Sequence, residues 1–354
     1  MPRPIQARID LSALEWNLQV ARRASSARIM AVIKADAYGH GLLRAAEALN
    51  AAEGFALLDI RDAICLRDAG FNQTMLLLEG FFTPDDLSLV AEYDLACVIH
   101  NQQQIDMLEA YPSRGSLEVW FKVGSGMNRL GFAPDKVHAA LTTLKAHPAV
   151  RDITLMTHFA QADEATGVAA QLDVFNSLVA PYRMARSLAN SAALLRFPAT
   201  HADWVRPGIM LYGASPFAEI SAQQLGLRPV MTLQSRIIAV QELSAGETIG
   251  YGGLFRANAP MRVGVVACGY ADGYPRHAPT GTPVLVDGYP TRILGRISMD
   301  MLSVDLSALP DADVGSRVTL WGEGLPVEQV AHAAGTISYE LLCALTARVP
   351  IVVN

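Results

Sequence analysis

The sequence predicts an α/β fold in which an N-terminal (β/α)8 TIM-type barrel is followed by a predominantly β domain. From residue 10 to about 225, short apolar runs alternate with amphipathic stretches, which is the pattern of repeated βα units. After residue 228, β-rich runs follow one another between Gly, Pro and Asp turns. Because 354 residues exceed the usual size of one core, we place the barrel at residues 1–228 and the β-rich domain at residues 229–354.

Seven strand candidates lie in the first part of the chain, and amphipathic sequence separates most of them. They are predicted at residues 29–33, 54–58, 75–78, 96–99, 117–123, 153–157 and 186–189. The clearest helices are predicted at residues 11–23, 41–51, 61–69 and 85–92. Seven or eight such units in about 215 residues fit a closed barrel better than an open doubly wound sheet, which is the main alternative.

The second part of the chain contains six strand candidates and a helical end. The strands are predicted at residues 230–242, 261–266, 282–286, 291–294, 301–304 and 317–321, and the helices at residues 327–333 and 339–345. No repeat or low-complexity linker separates the two parts. We therefore expect the two domains to pack together.

Composition and charge limit the classes of partner. The net charge is −6 and no cluster of Lys and Arg occurs, which argues against a nucleic-acid surface. No secretory signal pattern and no run of about 18 apolar residues is found, so we expect a cytoplasmic protein without a membrane segment. The four cysteines (Cys65, Cys97, Cys268 and Cys343) have neither disulfide-framework nor metal-site spacing, so we expect reduced thiols and no metal.

Polar residues at the ends of apolar runs are the first candidates for function, because barrel enzymes place functional groups at the carboxyl ends of their strands. Five runs end in this way, at Lys34, at Lys122 through Arg129, at His158, at Asn190-Ser191 and at Arg206-Pro207-Gly208-Ile209. An amine at the mouth of a buried strand, such as Lys34, is a candidate nucleophile. The alternative is a lysine whose aliphatic stem reaches water.

Several strings in the sequence are similar to the motifs of one enzyme family. They are Lys34 to Gly41, Gly126 to Gly131, Thr157 to Ala160, Arg206 to Ile209, Ile249 to Gly252, Gly269 to Gly273 and Gly295 to Asp300. Together they resemble the motifs of alanine racemases, and the resemblance covers the whole chain. The resemblance implies a homodimeric isomerase that uses pyridoxal 5′-phosphate (PLP) to interconvert L-alanine and D-alanine.

The resemblance also implies a pair of acid–base residues, because racemisation removes a proton from one face of Cα and returns one to the other. Lys34 would carry PLP and act on the D-amino acid side. Tyr251 would be the opposite base, supplied by the β-rich domain of the partner subunit. Without the family, a tyrosine between Gly250 and Gly252 would be read as a turn residue.

The cofactor and substrate contacts are implied in the same way. Arg206 would donate to the pyridine nitrogen and, because a guanidinium keeps its proton, leave that nitrogen unprotonated. Arg129 would hold the phenolic oxygen of PLP and the substrate carboxylate, while Met299 and Tyr270 would line the substrate pocket. The other predicted cofactor contacts are Tyr38, His158, Asn190, Ser191, Gly208, Ile209 and Tyr339.

Lys122 would orient Arg129, and the resemblance implies that CO2 carbamylates it. The sequence departs from the family pattern at three positions. Gly124 stands where many members have aspartate, Leu188 where many have histidine, and Ser298 where some have cysteine. None of these changes affects the two predicted bases.

Two other functions remain open at this stage. A broad-specificity amino acid racemase would have the same fold and would differ only in pocket volume. A non-catalytic PLP-binding barrel protein would lack the second domain that contains Tyr251 and Met299. The sequence does not separate a role in D-alanine supply for peptidoglycan from a role in alanine catabolism.

Overall fold

The computed structural model describes residues 3–111 and 117–354, and its first part is the predicted barrel. Eight parallel strands close into a ring. They are Arg28–Val32, Gly54–Leu57, Thr74–Leu77, Ala96–Ile99, Leu117–Lys122, Val150–Met156, Arg186–Ser187 and Trp204–Val205. The seven predicted strands are confirmed, with ends that differ by up to three residues. The eighth, Trp204–Val205, was not predicted as a strand, because two residues are too few to form a recognisable apolar run.

Helices surround the barrel and connect its strands. The helices of this part are Leu11–Ala24, Leu42–Ala48, Ile60–Asp68, Pro84–Glu92, Gln102–Glu109, Val137–Ala146, Ala169–Val179 and Ser191–Arg196. Asp10, Asp59, Asn101 and Asn190 each accept a backbone N–H with the side chain and so cap the first turn of the following helix. The four helices predicted from the sequence are confirmed.

The second part is mostly β, as predicted. In spatial order, its main sheet contains Met261–Val266, Leu302–Asp305, Tyr289–Leu294, Pro283–Val286, Arg317–Trp321, Met231–Leu243, Gln6–Ile9 and Ile351–Val353. Met231–Leu243 also pairs with Met261–Val266, so six of these strands form a closed ring. The helices Val327–Ala333 and Ser338–Cys343 follow the ring.

The first strand of the chain corrects the predicted division into domains. Gln6–Ile9 pairs with Met231–Leu243 and with Ile351–Val353, so residues 6–9 belong to the β-rich sheet and not to the barrel range 1–228. The side chains of Ala7 and Ile9 are fully buried there. A four-residue strand carries too little periodicity to show its partner in the sequence. The boundary at residue 228 stays a prediction.

The two parts share one continuous hydrophobic core. Asn17 lies in the first barrel helix, and its side chain bonds the carbonyls of Leu211 and Arg228 and the N–H of Arg228, which fixes the connection between the parts. In the ranges that the structure describes, no helix is both long enough and apolar enough to span a bilayer.

Candidate active site

The carboxyl ends of the barrel strands open into one cavity of about 740 Å³. This volume lies within the range of small-ligand pockets, roughly 300–1,000 Å³. Its lining includes every residue predicted for the barrel, namely Lys34, Tyr38, Lys122, Arg129, His158, Asn190, Ser191, Arg206, Gly208 and Ile209, and also Tyr339 from the β-rich part. These residues are spread over some 300 positions of sequence, and the fold brings them together at the carboxyl end of the barrel.

The cavity is strongly cationic. Lys34, Lys122, Arg129 and Arg206 line it, and Glu79 is the single carboxylate among its described lining residues. Burial lowers the pKa of Lys34, and the charge of Arg129 lowers it further. An arrangement of this kind favours an anionic ligand and a neutral, nucleophilic amine.

The positive charges of the cavity also lower the pKa values of two other lining residues, Lys122 and His158. Burial, followed by the charges of Arg206 and Arg129, lowers the pKa of Lys122 to about 8. Burial, followed by the charges of Arg206 and Lys122, lowers the pKa of His158 to about 3. His158 is therefore neutral at pH 7, and about one tenth of the Lys122 amine is neutral.

Arg206 is held rigidly at the floor of the cavity. Its Nη1 donates to Ser187 Oγ at 2.5 Å, and its Nη2 donates to the carbonyls of Thr157 at 2.6 Å and Leu188 at 3.2 Å. Burial lowers the pKa of Arg206 to about 10, which still leaves the guanidinium charged at pH 7. These bonds fix the plane of the guanidinium. Arg206 therefore offers the cavity hydrogen-bond donors and no acceptor.

An unusual turn presents Lys34 and Tyr38 to the cavity. Ala35, Asp36, Ala37 and Tyr38 have φ between 52° and 54°, so four successive residues adopt the left-handed region. For L-residues this conformation costs roughly 1–2 kcal/mol each. The Asp36 carboxylate accepts the N–H of Leu42 at 2.7 Å and thereby links the turn to the next helix.

His40 closes the turn from inside the protein. It is fully buried, and its Nδ1 lies 3.0 Å from the carbonyl oxygen of Ala37 and 2.9 Å from that of Tyr38. Because both neighbours are acceptors, Nδ1 carries the proton and donates. The ring of Tyr212 packs against the rings of both His40 and Tyr38, at centroid distances of 4.7 and 4.5 Å. These contacts offset part of the conformational cost of the turn.

Replacing His40 with asparagine is expected to reduce the loss of stability between pH 7 and pH 5. Burial lowers the pKa of His40 from 6.5 to about 4, so between these values the unfolded chain binds more protons and stability falls as the pH falls. At pH 5 this effect amounts to about 2 kcal/mol. Asparagine keeps an N–H donor near Nδ1 but does not titrate. The urea-unfolding midpoint of the unaltered and the His40→Asn holoenzymes is measured at pH 7 and at pH 5. An equal fall in the midpoint of both enzymes between these pH values would contradict the prediction.

The phosphate end of the predicted cofactor site has a close-packed backbone. A Cβ atom on Gly208 would lie 2.7 Å from Tyr38 Oη, so a larger residue would displace the phenol of Tyr38. Ser191 Oγ accepts the N–H of Gly208 at 2.9 Å. Burial raises the pKa of Tyr38, and it raises that of Tyr339 to about 12, so both phenols are donors at pH 7. Asn190 also lines the cavity, but its side-chain oxygen caps the helix Ser191–Arg196.

Three predicted residues do not line this cavity. Tyr251 lies in the turn between the short strands Thr248–Ile249 and Phe255–Arg256, where its side chain is 70 % exposed. Met299 and Tyr270 lie on neighbouring loops of the β-rich part and are 53 % and 37 % exposed. The single chain therefore gathers the predicted cofactor residues and leaves the predicted second base and substrate wall on its surface.

The sequence interpretation missed part of the cavity wall. The unpredicted lining residues include Leu58, Leu78, Glu79, Phe82, His100 and Cys343. Three barrel strands are followed directly by such residues: Leu58, the pair Leu78 and Glu79, and His100. Collecting every residue at the carboxyl end of a strand would therefore have found them. Cys343 ends a helix of the β-rich part, and nothing in its sequence context indicated the cavity. No cluster of three or more potential metal ligands occurs in residues 3–111 and 117–354.

The fold and the cavity define the class of the protein: it is a (β/α)8-barrel enzyme with a half-buried lysine in a cationic pocket and an appended β domain. Two family models match the chain, "Alanine racemase, N-terminal domain" at residues 9–216 and "Alanine racemase, C-terminal domain" at residues 230–353. The chain belongs to the alanine racemase family. It is a racemase and thus an isomerase.

Individual relatives agree with this assignment. The chain is 64 % identical to the alanine racemase of Nitrosospira multiformis over 98 % of its own length and 99 % of the relative's. The crystal structure of the biosynthetic alanine racemase from Pseudomonas aeruginosa is similar with a TM-score of 0.97, at 47 % identity and 99 % coverage of both chains. The alanine racemase structure from Acinetobacter baumannii gives a TM-score of 0.93 at 39 % identity, covering 99 % of this chain and all of that one.

Proposed function

We propose that this racemase acts on alanine with PLP bound at Lys34, and that Tyr251 of a partner subunit supplies the second base. The observation that carries this proposal is the division of the predicted site. The cavity gathers Lys34 with the cations suited to a phosphorylated cofactor, whereas Tyr251 lies exposed on a different part of the chain.

The residues of the cavity fit PLP. A phosphate would lie at Gly208 and Ile209, where the backbone approaches Tyr38 closely and Ser191, Tyr38 and Tyr339 offer hydroxyl groups. The rigid donor Arg206 suits the pyridine nitrogen, since a guanidinium does not transfer its proton there. Bound PLP would supply the electron-withdrawing ring that makes the α-hydrogen of an amino acid acidic.

The chain's own residues would then move protons at Cα. The lowered pKa of Lys34 favours a neutral amine that takes a proton from the D face or returns one to it. The phenol of Tyr251 would do the same on the L face. Arg129, at the cavity wall, would hold the substrate carboxylate by charge-assisted hydrogen bonds and so fix which substituent faces each base.

A homodimer would complete the site. Tyr251, Tyr270 and Met299 are exposed on the β-rich part, and so are the nearby residues in sequence Leu254 and Met301. Exposed apolar groups of this size indicate a surface that becomes covered. An isologous dimer would place this surface over the partner's cavity, which would exclude water and narrow the entrance between Tyr270 and Tyr339.

Lys122 would carry a carbamate in the working enzyme. With a pKa of about 8, its neutral amine attacks CO2 and releases one proton, and the resulting anion would pair with Arg129. Gly124 offers no carboxylate for this purpose. A carbamate carbon signal in ¹³C NMR of the enzyme equilibrated with labelled bicarbonate tests this assignment, and its absence together with full activity would refute it.

The proposed compartment is the cytoplasm, where D-alanine would serve peptidoglycan synthesis or L-alanine would be recovered for catabolism. The four cysteines support it: none forms a disulfide in the described ranges, and Cys97 and Cys268 are buried thiols.

Borohydride reduction of the holoenzyme tests the cofactor assignment. We expect reduction to attach PLP irreversibly to a single lysine and to abolish activity, and peptide mapping to locate the label at Lys34. Lys145 is exposed and distant from the cavity, so it serves as an internal control that remains unlabelled. A label on another lysine, or full activity after reduction, would contradict the proposal.

A further inference from the structure

We propose that Arg3 is a positioning residue for the substrate pocket: it holds in register the two loops that present Tyr270 and Met299. The inference rests on the proposed shared site, in which these two side chains meet the partner's substrate. It assigns a function to the N-terminal arm, residues 3–5 before the first strand, which does not line the cavity.

The centre of the arrangement is a fully buried carboxylate. Asp272 is 0 % exposed and accepts two parallel bonds from the Arg3 guanidinium, at 2.7 Å from Nη1 and 3.1 Å from Nη2. The same Nη2 donates to the carbonyl of Asp300 at 2.8 Å. Arg3 therefore contacts both loops at once, the one that follows Tyr270 and the one that follows Met299.

A second arginine closes the cluster from the other end of the chain. Arg348 Nη2 donates to the Asp300 carboxylate at 2.6 Å, and its Nε lies 3.5 Å from Asp272. We call Arg3, Asp272, Asp300 and Arg348 the loop-anchoring cluster. Two cations and two anions balance its charge, which is the condition under which a buried carboxylate is tolerated.

The two loops are also joined directly, so the anchor acts on both together. The N–H of Tyr270 donates to the carbonyl of Ser298 at 3.1 Å, and the N–H of Ala271 donates to that of Met299 at 3.0 Å. A Cβ atom on Gly269 would lie 2.3 Å from the Met299 carbonyl oxygen, so the backbones are in the closest possible contact. Tyr270 and Met299 nevertheless remain 37 % and 53 % exposed, so part of each side chain is left uncovered by its own subunit.

This combination gives the cluster a specific task. The loop backbones are fixed relative to each other, and Thr346 bonds the carbonyls of Ala271 and Asp272. The ion pairs of Asp272 and Asp300 add the side-chain attachment of both loops to Arg3 and Arg348. Loosening that attachment would shift the substrate wall as a unit and leave the PLP cavity of the barrel intact. An arginine fork suits the task, because a bidentate pair fixes direction as well as distance.

The test compares Arg3→Gln with Arg3→Lys and with Arg8→Gln. Arg8 lies in the first strand, Gln6–Ile9, five residues after Arg3, and pairs with the exposed Glu323 and not with either loop, so Arg8→Gln is a matched control. We expect Arg3→Gln to raise the KM for L-alanine about threefold to tenfold. The PLP absorbance, the PLP content and the dimer should be unchanged, and Arg3→Lys should recover part of the KM. Amide hydrogen exchange should increase at Tyr270 and Ala271.

Each other outcome contradicts the inference. An Arg3→Gln enzyme with the kinetics and exchange of Arg8→Gln would show that the cluster does not position the loops. Loss of PLP or of the dimer would show a general role in folding or assembly. Failure of the proposed shared site is detected separately. It would appear in the Tyr251→Phe enzyme, in which Arg3 is unchanged.

Discussion

A Tyr251→Phe enzyme is expected to lose racemisation in both directions by about 10²- to 10⁴-fold while it retains proton exchange on one face. The substitution removes only the phenolic oxygen, and racemisation needs both bases in either direction. Lys34 would still take and return the proton of D-alanine. D-alanine in deuterated water should therefore gain deuterium at Cα without forming L-alanine, and NMR together with chiral chromatography measures both quantities.

Tyr289→Phe is the matched control for this variant. Tyr289 lies on the same β-rich part and is 65 % exposed, close to the 70 % of Tyr251, but it belongs to the strand Tyr289–Leu294. Its variant should racemise alanine like the unaltered enzyme. If Tyr251→Phe stayed within threefold of normal activity, or lost deuterium exchange of D-alanine as fully as racemisation, Tyr251 would not be the second base.

A heterodimer of one Lys34→Ala chain and one Tyr251→Phe chain is expected to have about half the activity of the unaltered dimer, although both variant homodimers should be inactive. If each site takes Lys34 from one chain and Tyr251 from the other, one of the two sites has both groups intact. Coexpression with two different tags and tandem purification isolates the heterodimer, and racemisation per dimer is measured with L-alanine.

The control heterodimer pairs Lys34→Ala with a chain that carries both substitutions. It has no intact site in any arrangement, so any activity it shows sets the background. If the Lys34→Ala and Tyr251→Phe heterodimer is no more active than this control, the two bases belong to the same chain. That result would refute the shared site and leave the PLP assignment at Lys34 untouched.

Sequence reasoning reached most of the cavity because the barrel obeys a simple rule. Apolar runs ending at Lys34, Lys122 and His158 were recognisable as strands followed by polar residues, and the closed barrel places such ends together. The same rule was not applied to the strands that precede Glu79 and His100, so these wall residues were missed. Their chemistry matched no recognised motif, and a strand end alone carries little weight.

Contacts between distant parts of the chain were beyond the reach of the sequence. Gln6–Ile9 was assigned to the barrel because nothing in four residues indicates a partner more than 200 positions away. The bonds from Arg3 to Asp272 span 269 positions, and each residue alone reads as an ordinary surface charge. Such pairings depend on how the sheet closes, which no local pattern encodes.

The sequence by itself determined the order of the secondary structure and the barrel with its β-rich extension, because local periodicity and residue type are properties of short segments. Its resemblance to alanine racemases, carried by short motifs, indicated which residues could do chemistry. Only the tertiary structure decided the electrostatics and the completeness of the site. The low pKa of Lys122 and His158 arises from burial among other cations, and the left-handed turn at residues 35–38 depends on the buried ring of His40. Tyr251 and Met299 lie at the surface for a related reason: burial is set by the whole fold and not by the neighbours in sequence.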